Sequence, residues 1–352
     1  MAVFDNTNVA LRGIAAAVPA NTVEVRDIYR KEWGDVEEFI SSTHVKRLHV
    51  TLKGQTASDL CSAAAEQLIS ELGWEKEEIG AIVFITQTPD YYFVPATACH
   101  IQERLGLPKS CLAFDVTLGC SGWVYGLGIV SSLLQAGSIK KALVLAGDTC
   151  SKSANPDDQG SAPLFGDAGT ATALEYAPGG NGIKSVLFSD GSGYDAIITR
   201  EGGYRTPVTV ESFPGRVDEN GILHRPFTGD MDGLSVFTFA ISQAPKSIKY
   251  LFENFDIDKD SIDILALHQA NLMINQKIIK KVKTTNARYP ESLRDFGNTS
   301  CASIPLSLVT EEGDALRMGK ERVVACGFGV GLSWGAVYFE ADHVCVPKLI
   351  EI

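Results

Sequence analysis

Short apolar runs bounded by turn residues recur along the chain, separated by longer stretches whose apolar positions return every three or four residues. AIVFIT (81–86), CLAFDV (111–116), KALVLAG (141–147) and TATALEY (170–176) predict buried strands in the first half. IDILALH (262–268), RVVACGFG (322–329) and GAVYFE (335–340) predict them in the second. GWVYGLGIVSSLLQAG (122–137), VFTFAISQAPKSIKYLFENF (236–255) and NLMINQKIIKKV (271–282) have the period of helices. Strands that alternate with helices imply parallel pairing in an α/β architecture.

The order of elements occurs twice. In the first half a strand ends in TQTPD, and a helix, a cysteine-containing turn, another helix and KKALVLAGDT follow. In the second half ILALHQAN leads to a helix, then FGNTSCASIPLSLV, then KERVVACGFG. This places Cys120 and Asn298 at related points of two similar halves, divided here as 1–176 and 177–352. The segment 177–235, rich in Gly, Asp and Pro, is expected to connect them as an elaborated loop region.

Composition narrows the function classes. Hydrophobic residues make up 45% and charged residues 21% of 352, as in a globular enzyme. A net charge of -12 argues against a general nucleic-acid binder and leaves acidic partners only a local basic patch. No uncharged stretch reaches membrane-spanning length, and no basic segment precedes the apolar NVALRGIAAAVPA. Eight cysteines without a CxxC pair suggest free thiols in a reducing cytoplasm rather than a disulfide framework or a metal site.

Four stretches carry candidate chemistry. In DVTLGCSGWVYGLG (115–128) a strand, a tight Gly119-Cys120-Ser121-Gly122 turn and a helix place the Cys120 side chain at a helix N-terminus. The helix dipole there is expected to lower the thiol pKa, and the free N–H groups to hold an oxyanion formed at a thioester carbon. A buried structural cysteine is the other role such a stretch supports. His268 ends the run ILALHQAN, where a parallel strand delivers ligand-binding residues, although a satisfied core histidine would fit the same place. Asn298 in FGNTSCASIP could equally be a helix N-cap. The glycines of ACGFGVGLSWG (325–335) suit a turn that presents backbone N–H groups, or a simple packing turn. Two further matches fail. GLSWG (331–335) has the G-x-S-x-G pattern, but too little chain follows Ser333 for its acid and base partners. DIDKDS (256–261) has Ser261 at the glycine position of a calcium loop.

Taken together, GCSGWVYGL, HQAN, GNTSCASIPLSL and GFGVGLSWGA resemble the β-ketoacyl-acyl-carrier-protein synthase III family of the thiolase-like superfamily, with FGDAGTATALEY and SDGSGYDAI in the same order. The resemblance implies a five-layered α-β-α-β-α body of two similar halves with mixed five-stranded sheets, forming a homodimer. It implies an acyltransferase without cofactor or metal. Cys120 would take an acyl group from an acyl-CoA or acyl-carrier thioester, and a decarboxylative Claisen condensation with a malonyl thioester would follow. Within the same fold, transfer to an O or N nucleophile, condensation without decarboxylation and a non-catalytic dimer partner are the alternatives. His268 and Asn298 match the pair that binds the malonyl thioester carbonyl, and the backbone N–H groups of Cys120 and Val330 match the oxyanion hole. Phe93 matches an aromatic residue that shapes the acyl pocket across the dimer, and Lys280 and Lys281 match a carrier-docking pair. The chain departs from the pattern at Met273, where arginine is usual, at Phe39, where tryptophan is usual, and at Val330, where glycine is common. Those departures bear on priming from acetyl-CoA.

Overall fold

The computed structural model describes residues 2–352 except 181 and 220. In chain order the main elements are β1 (Ala2–Asn6), β2 (Val9–Val18), α1 (Val36–Thr43), α2 (Ala57–Leu72), β3 (Ile79–Ile85), α3 (Thr97–Arg104), β4 (Leu112–Val116), α4 (Gly122–Gln135), β5 (Lys141–Thr149) and β6 (Asp167–Tyr176). The second half adds β7 (Ile183–Ser189), α5 (Gly233–Phe255), β8 (Ile264–Leu267), α6 (Leu272–Val282), α7 (Ser303–Met318), β9 (Lys320–Gly329), β10 (Ser333–Asp342) and β11 (Ile350–Glu351).

The duplication expected from the element order is present in the pairing. One sheet runs β11-β2-β6-β5-β3-β4 and the other β1-β7-β10-β9-β8. In the first, β2 and β6 are antiparallel, β6 and β5 antiparallel, β5 and β3 parallel. In the second, β7–β10 and β10–β9 are antiparallel and β9–β8 parallel, the same pattern. The first sheet has one strand more than the expected five, because the C-terminal β11 pairs with β2. The N-terminal β1 pairs with β7 in the opposite sheet, so each end of the chain crosses to the other half.

Strand alternation sorts side chains into layers. Ala81, Val83 and Ile85 of β3 pack with α4, α7 and the second sheet, whereas Ile82 and Phe84 pack with α2 and α3. The outer face of the second sheet, through Leu265, Val324, Cys326 and Ala336, is covered by α5 and α6. The result is α-β-α-β-α, with α4 and α7 in the middle. Both sheets are covered on both faces, which explains why their strands are continuous apolar runs rather than alternating ones. The central α4 has no exposed residue, and Gly122 and Gly126 let it lie against β3: a Cβ there would come within 2.5 Å and 2.2 Å of Ile85.

One segment differs from its expectation. Residues 177–235 were expected to be connection and loop, yet Ile183–Ser189 forms a largely buried internal strand of the second sheet, between β1 and β10. Only the remainder, from about Asp190 to Asp232, is turns and two-residue strands.

Candidate active site

The two halves bring corresponding loops together. Cys120 lies in the turn before α4, Asn298 shortly before α7, and His268 directly after β8, where the first half has Thr86 after β3. Cys120, His268 and Asn298 line one cavity of about 430 Å³, together with Ser300, Phe328 and Val330. Its walls continue outward past Ile197, Met231, Phe237, Asn271 and Met273.

Local packing fixes the cysteine. A Cβ on Gly329 would sit 2.5 Å from the Cys120 Cβ and 2.7 Å from its sulfur, so only glycine lets the β9–β10 turn close over the thiol. The backbone N–H groups of Val330 and of Cys120 itself face the sulfur and stabilise its anion. They do not win. Burial pushes the Cys120 thiol up to about 11, and the carboxyl of Asp148 adds to the rise. The rise runs against the expected lowering at the helix N-terminus: desolvation without a nearby cation outweighs the amide donors.

Asp148 is a buried group that pattern reading missed. It is 0% exposed at the end of β5 and accepts hydrogen bonds from Thr86 Oγ1 at 2.9 Å and from the Gln87 N–H at 2.7 Å. Burial raises its pKa, and the hydrogen bonds it accepts from the Gln87 N–H and the Thr86 hydroxyl oppose the rise. The signal was available: an aspartate closing the apolar run KALVLAGD has to satisfy its carboxyl inside the protein.

His268 is 1% exposed. Its Nδ1 lies 2.8 Å from the Ser303 hydroxyl, which also accepts the Gln269 N–H at 3.2 Å. Phe328 stands edge-on to the ring, with centroids 5.4 Å apart. Burial lowers the imidazole to about 3, so it is neutral at physiological pH. Asn298 is 5% exposed; its backbone is held by Leu164 and Gly166 and its Oδ1 accepts the Ser300 N–H at 2.9 Å. That bond occupies the amide oxygen and leaves Nδ2 uncommitted among the described residues. Ser300 and Ser303, one turn apart, thus organise both partners of the cysteine. Their signal lay in the spacing N-T-S-C-A-S, which puts Ser303 at the start of α7 and Ser300 in the turn just before it.

The other expected site residues lie elsewhere. Lys280 and Lys281 are in the last turn of α6, and with Lys246, Lys249 and Lys277 they line a surface groove against α5. Phe93 does not line the cavity of its own chain. It is 52% exposed and packs on Tyr92 and Tyr204. Phe39 packs against Tyr29, while Met273 stands at the cavity mouth.

A half-buried thiol, a neutral imidazole and a carboxamide at the junction of two duplicated α/β halves define a thiolase-like condensing enzyme. Comparison with known proteins narrows this. The model of 3-oxoacyl-[acyl-carrier-protein (ACP)] synthase III matches residues 114–191, and that of its C-terminal part matches 252–341. The β-ketoacyl-[acyl-carrier-protein] synthase III of Streptococcus agalactiae is 36% identical over 305 residues, 86% of this chain and 90% of the relative. That of Clostridium perfringens is 34% identical over 331 residues, 94% and 98% of the two chains. The crystal structure of a 3-oxoacyl-(acyl-carrier protein) synthase from Burkholderia xenovorans superposes with a TM-score of 0.92 at 35% identity, covering 100% of this chain and 99% of the other. The chain belongs to the 3-oxoacyl-[acyl-carrier-protein] synthase III family, and it is an acyltransferase of the condensing type. Among the described residues no helix is long and apolar enough to cross a membrane.

Proposed function

We propose that the protein makes a carbon–carbon bond in two half-reactions through an acyl thioester on Cys120. In the first, the Cys120 sulfur attacks the carbonyl carbon of an acyl thioester. The Val330 and Cys120 N–H groups hold the oxyanion, and the carrier thiol leaves with the proton the cysteine gave up. In the second, a malonyl thioester places its carbonyl oxygen between His268 and Asn298. The bond to its carboxylate breaks to release CO₂, and the electron pair becomes an enolate. The enolate carbon attacks the acyl carbon, and the Cys120 thiolate is expelled and takes a proton from solvent.

The observation that carries this reading is the shared cavity of a thiol and two neutral donors. The Ser303 hydroxyl accepts from Gln269, so its own proton is available for His268 Nδ1, which leaves the ring proton on Nε2. Asn298 offers Nδ2 because its oxygen is occupied. Two N–H donors without net charge stabilise an enolate and would do little for a base-dependent transfer to a hydroxyl or amine. The groove of Lys246, Lys249, Lys277, Lys280 and Lys281 is the docking face for an acidic carrier protein, the partner on which a malonyl group would arrive. The unit is a homodimer in which Phe93 approaches the partner's acyl pocket.

Intact-protein mass spectrometry after incubation with acyl thioesters tests the first half-reaction: an acyl mass is expected on wild type and not on Cys120→Ala. Release of CO₂ from malonyl-carrier tests the second. Acylation without CO₂ release would replace condensation by plain acyl transfer.

A further inference from the structure

We propose that Asp148 holds the Cys120 proton during acyl loading, taking it through the Ser300 hydroxyl and returning it to the thiol that leaves. Asp148 and Ser300 thereby join the first half-reaction proposed above, on which their role rests.

The two oxygens of the Asp148 carboxyl are unlike. Oδ1 accepts the Gln87 N–H at 2.7 Å, the Thr86 hydroxyl at 2.9 Å, and the N–H and hydroxyl of Thr88, each at 3.2 Å. Oδ2 is buried and has no hydrogen-bond partner among the described residues. Four donors on one oxygen stabilise the charged carboxylate. Burial raises the affinity of the bare oxygen for a proton. An acceptor left bare in the interior is costly and asks for a functional account.

The turn Ser300–Ala302 packs against β5, which carries Asp148. Within that turn the Cys301 thiol is committed to the Ile85 carbonyl at 3.3 Å. The Ser300 hydroxyl is buried and, like Oδ2, lacks a hydrogen-bond partner among the described residues. It lies close enough to the Asp148 carboxyl and to the Cys120 sulfur to lower the pKa of each. Its place is imposed by the fold. Ser300 holds φ 52°, a left-handed backbone that a residue with a side chain rarely adopts, and gives its N–H to Asn298 Oδ1 at 2.9 Å. Ser300 and Cys120 line the same cavity. Cys150 lines it too, but burial and the carboxyls of Asp148 and Asp167 raise its thiol well above the ordinary value, which keeps it protonated and unable to accept a proton.

As the Cys120 sulfur attacks, its proton passes to Ser300 Oγ and the Ser300 proton to Asp148 Oδ2. The S–C bond forms, the carbonyl electrons move onto the oxygen held by the Val330 and Cys120 N–H groups, and the carboxylate becomes a carboxylic acid. When the C–S bond to the carrier breaks, the leaving sulfur takes a proton from Ser300, which recovers one from Asp148. The cavity carries one negative charge throughout, so a thiolate never has to form beside a carboxylate.

Two rates measured on the same variants at pH 7 by intact mass test this: acyl loading of Cys120, with whichever of a panel of acyl-coenzyme A thioesters loads the wild type fastest, and alkylation of Cys120 by iodoacetamide. Alkylation follows the thiolate population alone, because iodide leaves without a proton. Asp148→Asn removes a carboxylate that raises the Cys120 pKa, so alkylation should speed up about threefold or more while acyl loading falls at least about tenfold. The buried Cys61, Cys301 and Cys326 should stay unlabelled, which reports that the variant is folded. Ser300→Ala should lower loading by a similar factor and leave alkylation within about threefold of wild type, and the double variant should load no more slowly than the slower single one. If label reaches the buried cysteines of Asp148→Asn, Ser300→Ala decides alone. Unchanged loading in either folded variant, or loading and alkylation of Asp148→Asn that move in the same direction, would overturn the proposal and leave the acyl-enzyme intact. Absence of an adduct on the wild type from every thioester would overturn the acyl-enzyme reading itself.

Discussion

A thiol held near pKa 11 is almost wholly protonated at neutral pH, which constrains how Cys120 reacts. Below the pKa the thiolate fraction grows tenfold with each pH unit. Alkylation of Cys120 by iodoacetamide, followed by intact mass, should therefore rise log-linearly from pH 6 to 10 without a plateau; a plateau below pH 8 would mean that the helix dipole wins after all. His268 behaves in the opposite sense. Its pKa falls to about 3, so the donor pair has no ionisation between pH 5 and 8, and CO₂ release by pre-acylated enzyme should be flat across that range. Asn298→Ala should reduce condensation 10²–10³-fold and leave Cys120 acylation largely intact. Ser303→Ala should reduce condensation about tenfold by freeing the ring, with Ser303→Thr restoring most of it. At this scale the meeting of Cys120, His268 and Asn298 in one cavity was legible from motif and order. The thiol's pKa was not, because it depends on Asp148 and on the 329–330 turn, which are remote in sequence and adjacent only after folding.

Elements place these groups, and their tolerances are narrow at the contacts between central helices, strands and turns. Gly329→Ala would put a methyl 2.5 Å from the Cys120 Cβ, inside any real contact distance. The β9–β10 turn would have to lift, carrying the Val330 N–H away from the sulfur. We expect a loss of about 1–3 kcal/mol in denaturant unfolding and at least a tenfold fall in acyl loading. Unchanged loading would show that the Val330 amide is dispensable. The strand-helix order was readable because buried parallel strands are short apolar runs between glycines, as in KALVLAG and RVVACGFG. IKSVLFS was lost among glycines and prolines, since seven residues with two serines and a lysine carry little periodicity. Its place is set by β10 and β1, not by its own pattern.

At the scale of the whole molecule, one strand edge and one set of exposed aromatic residues bear on assembly. β4 is the edge of the first sheet and leaves Leu112 44% exposed. The following contacts belong to the segment before α3 and to the long loop of the second half: Tyr92, Phe93, Val94 and Tyr204 are 57%, 52%, 80% and 83% exposed. A bare strand edge with exposed aromatics nearby is costly on a monomer and is what a two-fold partner would cover. The protein should sediment as a dimer at micromolar concentration. Phe93→Glu/Val94→Glu should shift it towards monomer. If Phe93 completes the partner's pocket, acyl loading should fall with dilution in step with the dimer population, and more steeply for longer acyl groups than for acetyl. Loading that stays constant while the dimer dissociates would confine the dimer to a structural role and leave each acyl pocket complete within its own chain.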